Sequence, residues 1–265
     1  MIAAVLGSPI AHSLSPVLHL TAYRELGLQH EYRKIEVDAE SFREFVDTLT
    51  SNWLGLSLTM PLKEIAFDVA QSVSPVALLT RSINTLICGD ELMADNTDVT
   101  GIVQAIKESS DSPFDRLVLL GSGATARSAI VAAAQLDIGA IYAVARNEAA
   151  LLECASIAKR LGMEFEATSI YDLEFTPETL TINTTPAGVA DRLVEVVQPQ
   201  GALLDVVYHP WPSILAKHWL SHDLTIISGH LMLLHQAAKQ VELMTGQTAP
   251  VEAMRVALLT AMRSR

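Results

Sequence analysis

Short apolar runs alternate along the chain with segments of helical periodicity. Strands are predicted over residues 2–6, 31–37 and 54–58, and helices over residues 16–26, 41–49, 62–70 and 99–107. A hairpin-like segment lies at residues 84–94. Alternation of this kind is typical of βαβ units, in which a crossover helix joins two parallel strands. The sequence therefore predicts an α/β fold with mostly parallel sheets.

The clearest unit of this type follows a serine-rich, linker-like stretch at residues 109–113, which suggests a boundary between two lobes. Its predicted elements are a strand at 116–120, a glycine turn, a helix at 126–136 and a strand at 140–145. Strands at 180–183, 203–207 and 224–227 extend the sheet, and helices at 231–245 and 251–263 follow. This order predicts a Rossmann-like, dinucleotide-binding domain with a parallel sheet.

Composition and charge narrow the classes of function. Half of the 265 residues are hydrophobic, which is ample for a buried core in one large domain or two modest ones. The formal net charge of -12 argues against partners such as nucleic acid or an anionic membrane surface. The chain shows no signal peptide, no apolar span of about 20 residues and only two cysteines, without C-x-x-C spacing. We therefore expect a cytoplasmic protein.

The glycine turn fits the pattern G-x-G-x-x-A, which binds a dinucleotide when it follows a strand and opens a helix. The first glycine permits the tight turn, the second lets the backbone approach a pyrophosphate, and the final alanine packs helix on strand. Amides at the helix N-terminus then hold the phosphates. The predicted cofactor contacts are Gly121, Ser122, Gly123, Ala124, Thr125 and Ala126.

Arg146 and Asn147 lie at the end of the next predicted strand, where an NAD enzyme usually carries an acidic residue for the ribose hydroxyls. An arginine suits a 2'-phosphate instead, because a guanidinium binds phosphate in bidentate fashion. The predicted cofactor is therefore NADP (NADPH). A solvated residue beginning a loop is the alternative interpretation of Arg146. Arg127, just inside the helix, either assists or has a structural role.

Small polar residues lie at the ends of elements in the first lobe, where ligand contacts often concentrate. Ser15 is interpreted as a helix N-cap, whereas Ser13 has no such explanation. Lys63 follows a buried-looking strand, and Asn84 and Asp98 follow later strands or turns. A lysine paired with an aspartate can hold a carbonyl oxygen and transfer a proton to it, as carbonyl reduction requires. Considered one at a time, each of these residues is better explained as a solvated surface residue or a helix cap than as a functional residue.

These segments, in this order, resemble the shikimate dehydrogenase family along nearly the whole chain. The matching stretches are residues 7–16, 59–63, 83–86, 95–98 with Gly101, the turn at Gly121, 183–186, 205–210 and 229–236. The resemblance implies a substrate-binding and catalytic domain at 1–99 plus 236–265 and a dinucleotide-binding domain at 100–235. It also implies a cleft between the two lobes that closes on the ligand.

The resemblance further implies which residues act in the site. Lys63 and Asp98 form the catalytic pair, and the substrate carboxylate and hydroxyls are bound by Ser13, Ser15, Thr59, Asn84, Tyr208 and Gln236. The nicotinamide end of the cofactor meets Thr184, Gly229 and Met232. The implied activity is the reversible, NADPH-dependent reduction of 3-dehydroshikimate to shikimate in chorismate and aromatic amino acid biosynthesis. The protein acts on a small molecule as a monomer or homodimer.

Three positions depart from the commonest family pattern: Ser57 and Leu20 stand where asparagine is usual, and residues 145–147 read Ala-Arg-Asn. Two alternatives within the family therefore stay open. One is an NAD-dependent quinate or shikimate dehydrogenase, which differs by one or two hydrogen bonds to the substrate. The other is a catalytically silent paralogue that binds a metabolite, although the intact Lys63 and Asp98 argue against it.

A metal enzyme is a third alternative, since His218 and His222 have the i, i+4 spacing of zinc ligands on a helix. The motif includes no third histidine or carboxylate partner, and Ser221 and Asp223 suggest that the helix ends here, so a solvated helix end is the favoured interpretation and no metal is predicted. His230 and His235 are interpreted as ordinary helix residues.

Overall fold

A computed structural model describes residues 1–263 of the chain. Its contacts divide the protein into a first unit, Met1–Gly101 with the chain from Leu233 onward, and a second unit, Ile102–Met232. These divisions lie within a few residues of the predicted domain boundaries. They do not coincide with the linker-like stretch at 109–113, because the helix that begins at Asp98 continues to Ser109.

A six-stranded mixed sheet organises the first unit. Its strands are β1 (Ile2–Gly7), β2 (Glu31–Glu36), β3 (Trp53–Leu58), β4 (Ser72–Val73), β5 (Thr85–Ile87) and β6 (Met93–Asp95). They lie in the order β2-β1-β3-β5-β6-β4. β1 is parallel to β2 and β3, β4 is parallel to β6, and β5 is antiparallel to both β3 and β6. The predicted hairpin is β5–β6.

Helices connect these strands. They are α1 (Ser15–Glu25), α2 (Phe42–Asp47), α3 (Leu62–Ile65) and α4 (Pro75–Thr80). The next helix, α5 (Asp98–Ser109), follows β6 and continues from the first unit into the second, which begins at Ile102. Successive residues of β1 point to opposite faces of the sheet. Ala4 and Leu6 pack in one hydrophobic cluster with Phe42, while Ala3 and Val5 pack in another with Tyr23. The first sheet therefore has a buried core on each face.

The second unit contains an entirely parallel six-stranded sheet. Its elements are β7 (Arg116–Leu120), α6 (Ala124–Gln135), β8 (Ala140–Val144), α7 (Glu148–Arg160), β9 (Glu164–Ala167), β10 (Thr179–Asn183), β11 (Ala202–Asp205), α8 (Ile214–Leu220) and β12 (Ile226–Ser228). The order β9-β8-β7-β10-β11-β12 is that of the doubly wound dinucleotide-binding fold. The reversal of direction lies at β7, whose C-terminal end leads into the Gly121 turn. The predicted α/β fold class is confirmed.

Two helices return the chain to the first unit. α9 (Gly229–Thr245) begins in the second unit and enters the first at Leu233, and α10 (Val251–Arg263) packs on α1. Met244 of α9 joins the cluster of Ala3, Val5 and Tyr23. Among residues 1–263, no helix is long and apolar enough to cross a membrane.

Candidate active site

Lys63 and Asp98 form an ion pair in the first unit. Lys63 lies in α3, directly after β3, and Asp98 is the first residue of α5, directly after β6. Lys63 Nζ donates to Asp98 Oδ2 at 2.5 Å, with 15% and 5% of the two side chains exposed. The N-terminus of α5 favours a carboxylate at this position. The pair thus combines a held negative charge with a lysine that keeps partial access to solvent.

Asn84 is buried beside this pair, and its amide has a defined orientation. Its Oδ1 accepts from the backbone N–H of Thr97 at 2.8 Å, and a backbone N–H can only donate. Its Nδ2 therefore faces Asp98 and donates to Oδ1 of that carboxylate at 2.8 Å. Nδ2 also lies 3.0 Å from Oγ1 of Thr97. Both carboxylate oxygens of Asp98 are consequently occupied by donors, one from Lys63 and one from Asn84.

Gln236 of α9 completes the group of predicted residues that the structure brings together. Its Oε1 lies 3.4 Å from Nδ2 of Asn84, and its Nε2 donates to the backbone oxygen of Leu233 at 2.9 Å. Segments from four elements thus place Lys63, Asn84, Asp98 and Gln236 side by side. Such a group offers ammonium, amide and carboxylate functions to a polar, hydroxylated ligand.

The interpretation of Ser15 as an N-cap is wrong. Leu14 occupies the cap position with helical backbone angles, and Ser15 is already the first residue of α1. Ser13 does have a local structural role, because its Oγ accepts from the N–H of Ser15 at 3.3 Å. Thr59 is partly buried just after β3, and its N–H donates to the oxygen of Leu6 at 2.9 Å.

The glycine turn of the second unit has the backbone geometry that a phosphate-binding loop needs. Gly121 has φ of +108°, and a Cβ there would lie 2.5 Å from Oγ1 of Thr184. Thr184 is held against β7, since its hydroxyl donates to the oxygen of Leu120 at 2.9 Å. Any side chain at residue 121 would therefore disrupt the turn.

Gly123 is the N-cap of α6 and provides no side-chain cap for the first N–H groups of the helix. A Cβ on Gly123 would meet no atom of the described chain within 4 Å. Ala126 is fully buried, as helix-on-strand packing requires. The first N–H groups of α6 therefore have no side-chain cap and face open space, so they can donate hydrogen bonds to the pyrophosphate of a dinucleotide. The remaining turn residues, Ser122, Ala124 and Thr125, span the end of β7 and the first turn of α6.

The residues predicted around the 2'-phosphate differ in their surroundings. Arg146 is exposed after β8, so its guanidinium is accessible to a ligand. Asn147 is the N-cap of α7, and its side chain accepts from the N–H of Ala150 at 3.1 Å. Arg127 is buried and lies 3.5 Å from the carboxylate of Glu153 on α7. Arg127 therefore has a structural role between α6 and α7.

The other predicted contacts in the second unit lie near the start of α9. A Cβ on Gly229 would approach the oxygen of Val206 to 2.5 Å, so close packing requires glycine at this position. Met232 is buried. The ring of Tyr208 lies 5.6 Å from that of His230, centroid to centroid. Tyr208 belongs to the second unit, whereas the other five predicted substrate residues belong to the first.

The histidines considered as metal ligands have other partners. A ring nitrogen of His218 lies 2.9 Å from the oxygen of Val197, and one of His222 lies 2.9 Å from the oxygen of His218. Over residues 1–263, no group of three or more potential ligands is arranged to hold a metal ion. The helix containing the first of them, α8, ends at Leu220, as the solvated-end interpretation expects.

The sequence analysis did not link a set of buried polar residues to Asn84. They are Tyr32, Thr85 and Gln240, together with Ser57, which was noted only as a departure from the family pattern. Gln240 follows Gln236 by four residues, so both lie on the same face of α9. Two glutamines at this spacing on a buried helix are the signal that was available in the sequence. His19 belongs to the same set, because its Nε2 lies 3.2 Å from Oε1 of Gln240. Burial lowers the pKa of His19 to about 3, although the bond to Gln240 opposes this shift.

Comparisons with known proteins agree with this arrangement. The family described as shikimate dehydrogenase substrate binding domain matches residues 5–86, and the shikimate 5'-dehydrogenase C-terminal domain matches residues 229–259. Proteins named shikimate dehydrogenase (NADP(+)) are similar over most of their length. The Leptospira interrogans protein is 33% identical over 91% of this chain and 88% of its own, and the Microcystis aeruginosa protein 31% identical over 96% and 95%.

Solved structures show the same relationship. The Mycobacterium tuberculosis shikimate dehydrogenase is 38% identical with a TM-score of 0.89, over 98% of this chain and 99% of that one. A Thermus thermophilus shikimate 5-dehydrogenase, in complex with NADP(H) and shikimate, is 27% identical with a TM-score of 0.87 and the same coverage. Sequence identity above 30% along nearly the whole chain, together with the common fold, places the protein in a single family. The chain belongs to the shikimate dehydrogenase family.

Proposed function

We propose that the chain catalyses the reversible, NADPH-dependent reduction of 3-dehydroshikimate to shikimate, a step of chorismate and aromatic amino acid biosynthesis. The reaction class is oxidoreduction at a CH–OH group. The observation that carries this proposal is the Lys63–Asp98 ion pair beside Asn84 and Gln236. Lys63 and Asn84 lie in the segment that matches the substrate-binding domain family, and Gln236 lies in the segment that matches the C-terminal domain family.

Lys63 and Asp98 hold the reacting oxygen in the proposed mechanism. The bound NADPH supplies a hydride to the ketone carbon, which leaves negative charge on the oxygen. The Lys63 ammonium stabilises that charge, and the Lys63–Asp98 pair provides the proton that completes the alcohol. In the reverse direction the pair accepts this proton. Asn84 keeps Asp98 in place through the bond to its Oδ1.

The remaining polar residues bind the carboxylate and hydroxyls of the substrate. Ser13, Ser15, Thr59, Asn84, Tyr208 and Gln236 are assigned this role, because hydroxyl and amide groups can donate to a carboxylate and exchange hydrogen bonds with hydroxyls. Sites of this type reject an analogue that lacks a hydroxyl, since a buried group then stays unpaired. Apart from Tyr208, these residues belong to the first unit, and the predicted cofactor contacts belong to the second.

NADP is held by the Gly121 turn in this proposal. The uncapped N-terminus of α6 binds the pyrophosphate, and the exposed Arg146 pairs with the 2'-phosphate. Thr184, Gly229 and Met232 contact the nicotinamide end, and Asn147 contacts the cofactor near its 2'-phosphate. We assign a cytoplasmic location and a monomeric or homodimeric state.

The deciding experiment measures absorbance of the reduced nicotinamide with purified protein. Shikimate or quinate is offered with NADP or NAD, in all four combinations. The proposal expects strong activity only with shikimate and NADP. Activity with quinate or NAD identifies a quinate/shikimate dehydrogenase instead. Inactivity with all four pairs indicates a silent, metabolite-binding paralogue.

A further inference from the structure

A buried chain of hydrogen bonds in the first unit runs behind the candidate site. The hydroxyl of Tyr32 donates to Ser57 Oγ at 2.6 Å, and the hydroxyl of Ser57 donates to Gln240 Oε1 at 2.8 Å. Each of these residues is 5% exposed or less. The chain connects β2, β3 and α9, which are distant in the sequence.

The amide of Gln240 has one orientation that satisfies its neighbours. Its Nε2 lies 3.0 Å from the backbone oxygen of Asn84, and that oxygen can only accept a hydrogen bond. The other amide atom is therefore Oε1, which accepts from the hydroxyl of Ser57. His19 also donates to Oε1, so its Nε2 carries the proton.

Gln240 is linked to the side chain of Asn84 as well as to its backbone. Nε2 of Gln240 donates to Thr85 Oγ1 at 3.0 Å, and the hydroxyl of Thr85 donates to Asn84 Oδ1 at 2.7 Å. Because the Thr85 hydroxyl accepts from Gln240, its own proton is directed toward Asn84. The opposite end of the Asn84 amide then donates to Asp98.

The other end of the chain is the phenol of Tyr32, which is buried. Tyr32 of β2 and Asn84, which directly precedes β5, are thus joined through Ser57, Gln240 and Thr85. Each of these three linking residues has a partner on both sides, which favours one arrangement of the network.

We propose that Gln240 is a positioning residue for the substrate site, which acts through Thr85, together with the N–H of Thr97, to hold the orientation of Asn84. Through Ser57, Gln240 also couples Asn84 to Tyr32. This inference rests on the proposed function of Asn84. Gln240 itself contacts neither the substrate nor the Lys63–Asp98 pair in this proposal. Its effect passes through the placement of the Asn84 amide relative to Asp98.

The first test is Gln240→Met, which preserves the length of the side chain and removes its amide. We expect kcat/KM for shikimate to fall by about 10-fold or more, because small displacements of positioned groups are costly. The KM for shikimate rises and kcat falls, while the KM for NADP stays within about two-fold, because the cofactor turn lies in the other unit.

Val241→Ala is the matched control, because Val241 is fully buried on the same helix and belongs to no part of the network. It weakens packing without removing a polar group. We expect it to lower the thermal unfolding midpoint while leaving the KM for shikimate unchanged. If Gln240→Met lowers kcat only in proportion to the folded fraction, with KM unchanged, the residue is merely structural and the inference is overturned.

A double-mutant cycle gives an independent readout. Thr85→Val and Gln240→Met act on the same Asn84 amide, so their combined effect on kcat/KM is expected to be smaller than the product of the single effects. If the two effects multiply, no coupling exists and the positioning role fails. Should Gln240→Met not fold, Ser57→Ala and Tyr32→Phe test the same chain, with a larger KM effect expected from Ser57, which is nearer to Gln240.

Wild-type activity separates this inference from the proposed function. If the wild type reduces NADP with shikimate and Gln240→Met retains the wild-type constants, only the positioning role is wrong. If the wild type is inactive with shikimate, the proposed function fails first, and the inference fails with it.

Discussion

Each carboxylate oxygen of Asp98 is held by a different residue, so removing Lys63 leaves Asp98 in position through Asn84. Lys63→Ala is therefore expected to abolish the transfer step without dismantling the site. We expect kcat to fall by about 100-fold or more, with little change in the KM for NADP. Initial rates at saturating shikimate measure this directly.

Lys107→Ala provides the comparison for this variant, because Lys107 is exposed in the last turn of α5, the helix that begins at Asp98. Its activity is expected to match the wild type. An unchanged turnover number in Lys63→Ala would remove Lys63 from the mechanism.

His19 gives the protein a predictable dependence of stability on pH. Burial lowers its pKa to about 3 in the folded state, against an ordinary value of 6.5. Below pH 6.5 the unfolded chain binds a proton at His19 that the folded protein excludes, so this residue reduces stability progressively as the pH falls toward 3. Above pH 6.5 the residue is neutral in both states and has no such effect.

Thermal unfolding of wild type and His19→Phe, from about pH 7 to about pH 4, tests this expectation. Phenylalanine does not titrate and can retain the stacking on Tyr32, whose ring lies 4.0 Å away. The wild-type midpoint is expected to fall more steeply with acidification than that of the variant. Parallel curves for the two proteins would contradict a buried, neutral His19.

At the scale of elements, the turn between β7 and α6 contains two glycines, of which only one is required by the backbone conformation and the packing of the turn. Gly121 needs a positive φ and has no space for a Cβ, whereas Gly123 has φ of -82° and open space around it. Gly121→Ala is therefore expected to lower both the unfolding midpoint and NADP binding. Gly123→Ala is expected to leave the midpoint unchanged and to raise the Kd for NADP by about 10-fold, because its methyl group occupies the space assigned to the pyrophosphate.

Calorimetric titration with NADP and thermal unfolding of both variants measure these effects. Each variant is the control for the other, because both add one methyl group to the same turn at positions two residues apart. Equal NADP affinity in Gly123→Ala and wild type would show that the cofactor does not approach this turn.

The elements that the sequence predicted best are those with continuous apolar runs. β7 was predicted with its observed bounds, because it is a short apolar run with four of its five residues buried. α10 was also predicted with its observed bounds, and its buried residues Met254 and Leu258 have the four-residue spacing of one helix face. β9 was not predicted, since it lies at the edge of the sheet and its residues are largely exposed. α4 was missed because six residues are too few to establish a helical period. α3 is shorter than predicted, ending at Ile65 before a turn of 3-10 helix.

The sequence predicted the residues assigned to substrate and catalysis more completely than the buried residues that hold them in place. Lys63, Asn84, Asp98 and Gln236 were found through motifs, and the structure brings them together. Gln240 belongs to no motif. Ser57 and Thr85 lie at positions compared with the family pattern but were not linked to Asn84, because that link depends on which strands lie beside α9. That information is tertiary and cannot be derived from spacing along the chain. Ser15 was misinterpreted since its neighbour Leu14 already has helical backbone angles.

At the scale of the whole molecule, the proposed division of labour between the units predicts separate responses to the two ligands. Shikimate alone is expected to slow amide hydrogen exchange near β3, α3 and β5 in the first unit. NADP alone is expected to slow exchange in the β7–α6 turn of the second unit. Ligand binding suppresses the local openings that permit exchange, so protection maps the segment that each ligand holds.

Hydrogen-exchange mass spectrometry of the intact protein, with either ligand alone, provides the measurement. Peptides from α8 serve as an internal reference, because no predicted contact lies in that helix. Protection of the β7–α6 turn by shikimate alone, to the same extent as by NADP, would contradict the assignment of ligands to units.

The second unit is one continuous segment, whereas the first is formed from two segments that flank it. This arrangement has a consequence for synthesis on the ribosome, where the chain emerges from its N-terminus. All strands of the parallel sheet of the second unit are synthesised before Leu233. The six strands of the first sheet emerge earlier, but Gln236 and Gln240 are supplied only with α9. The hydrogen bonds that α9 adds to Asn84 and Thr85 are thus among the last to form, and every strand of the cofactor-binding sheet is synthesised before the substrate site is complete.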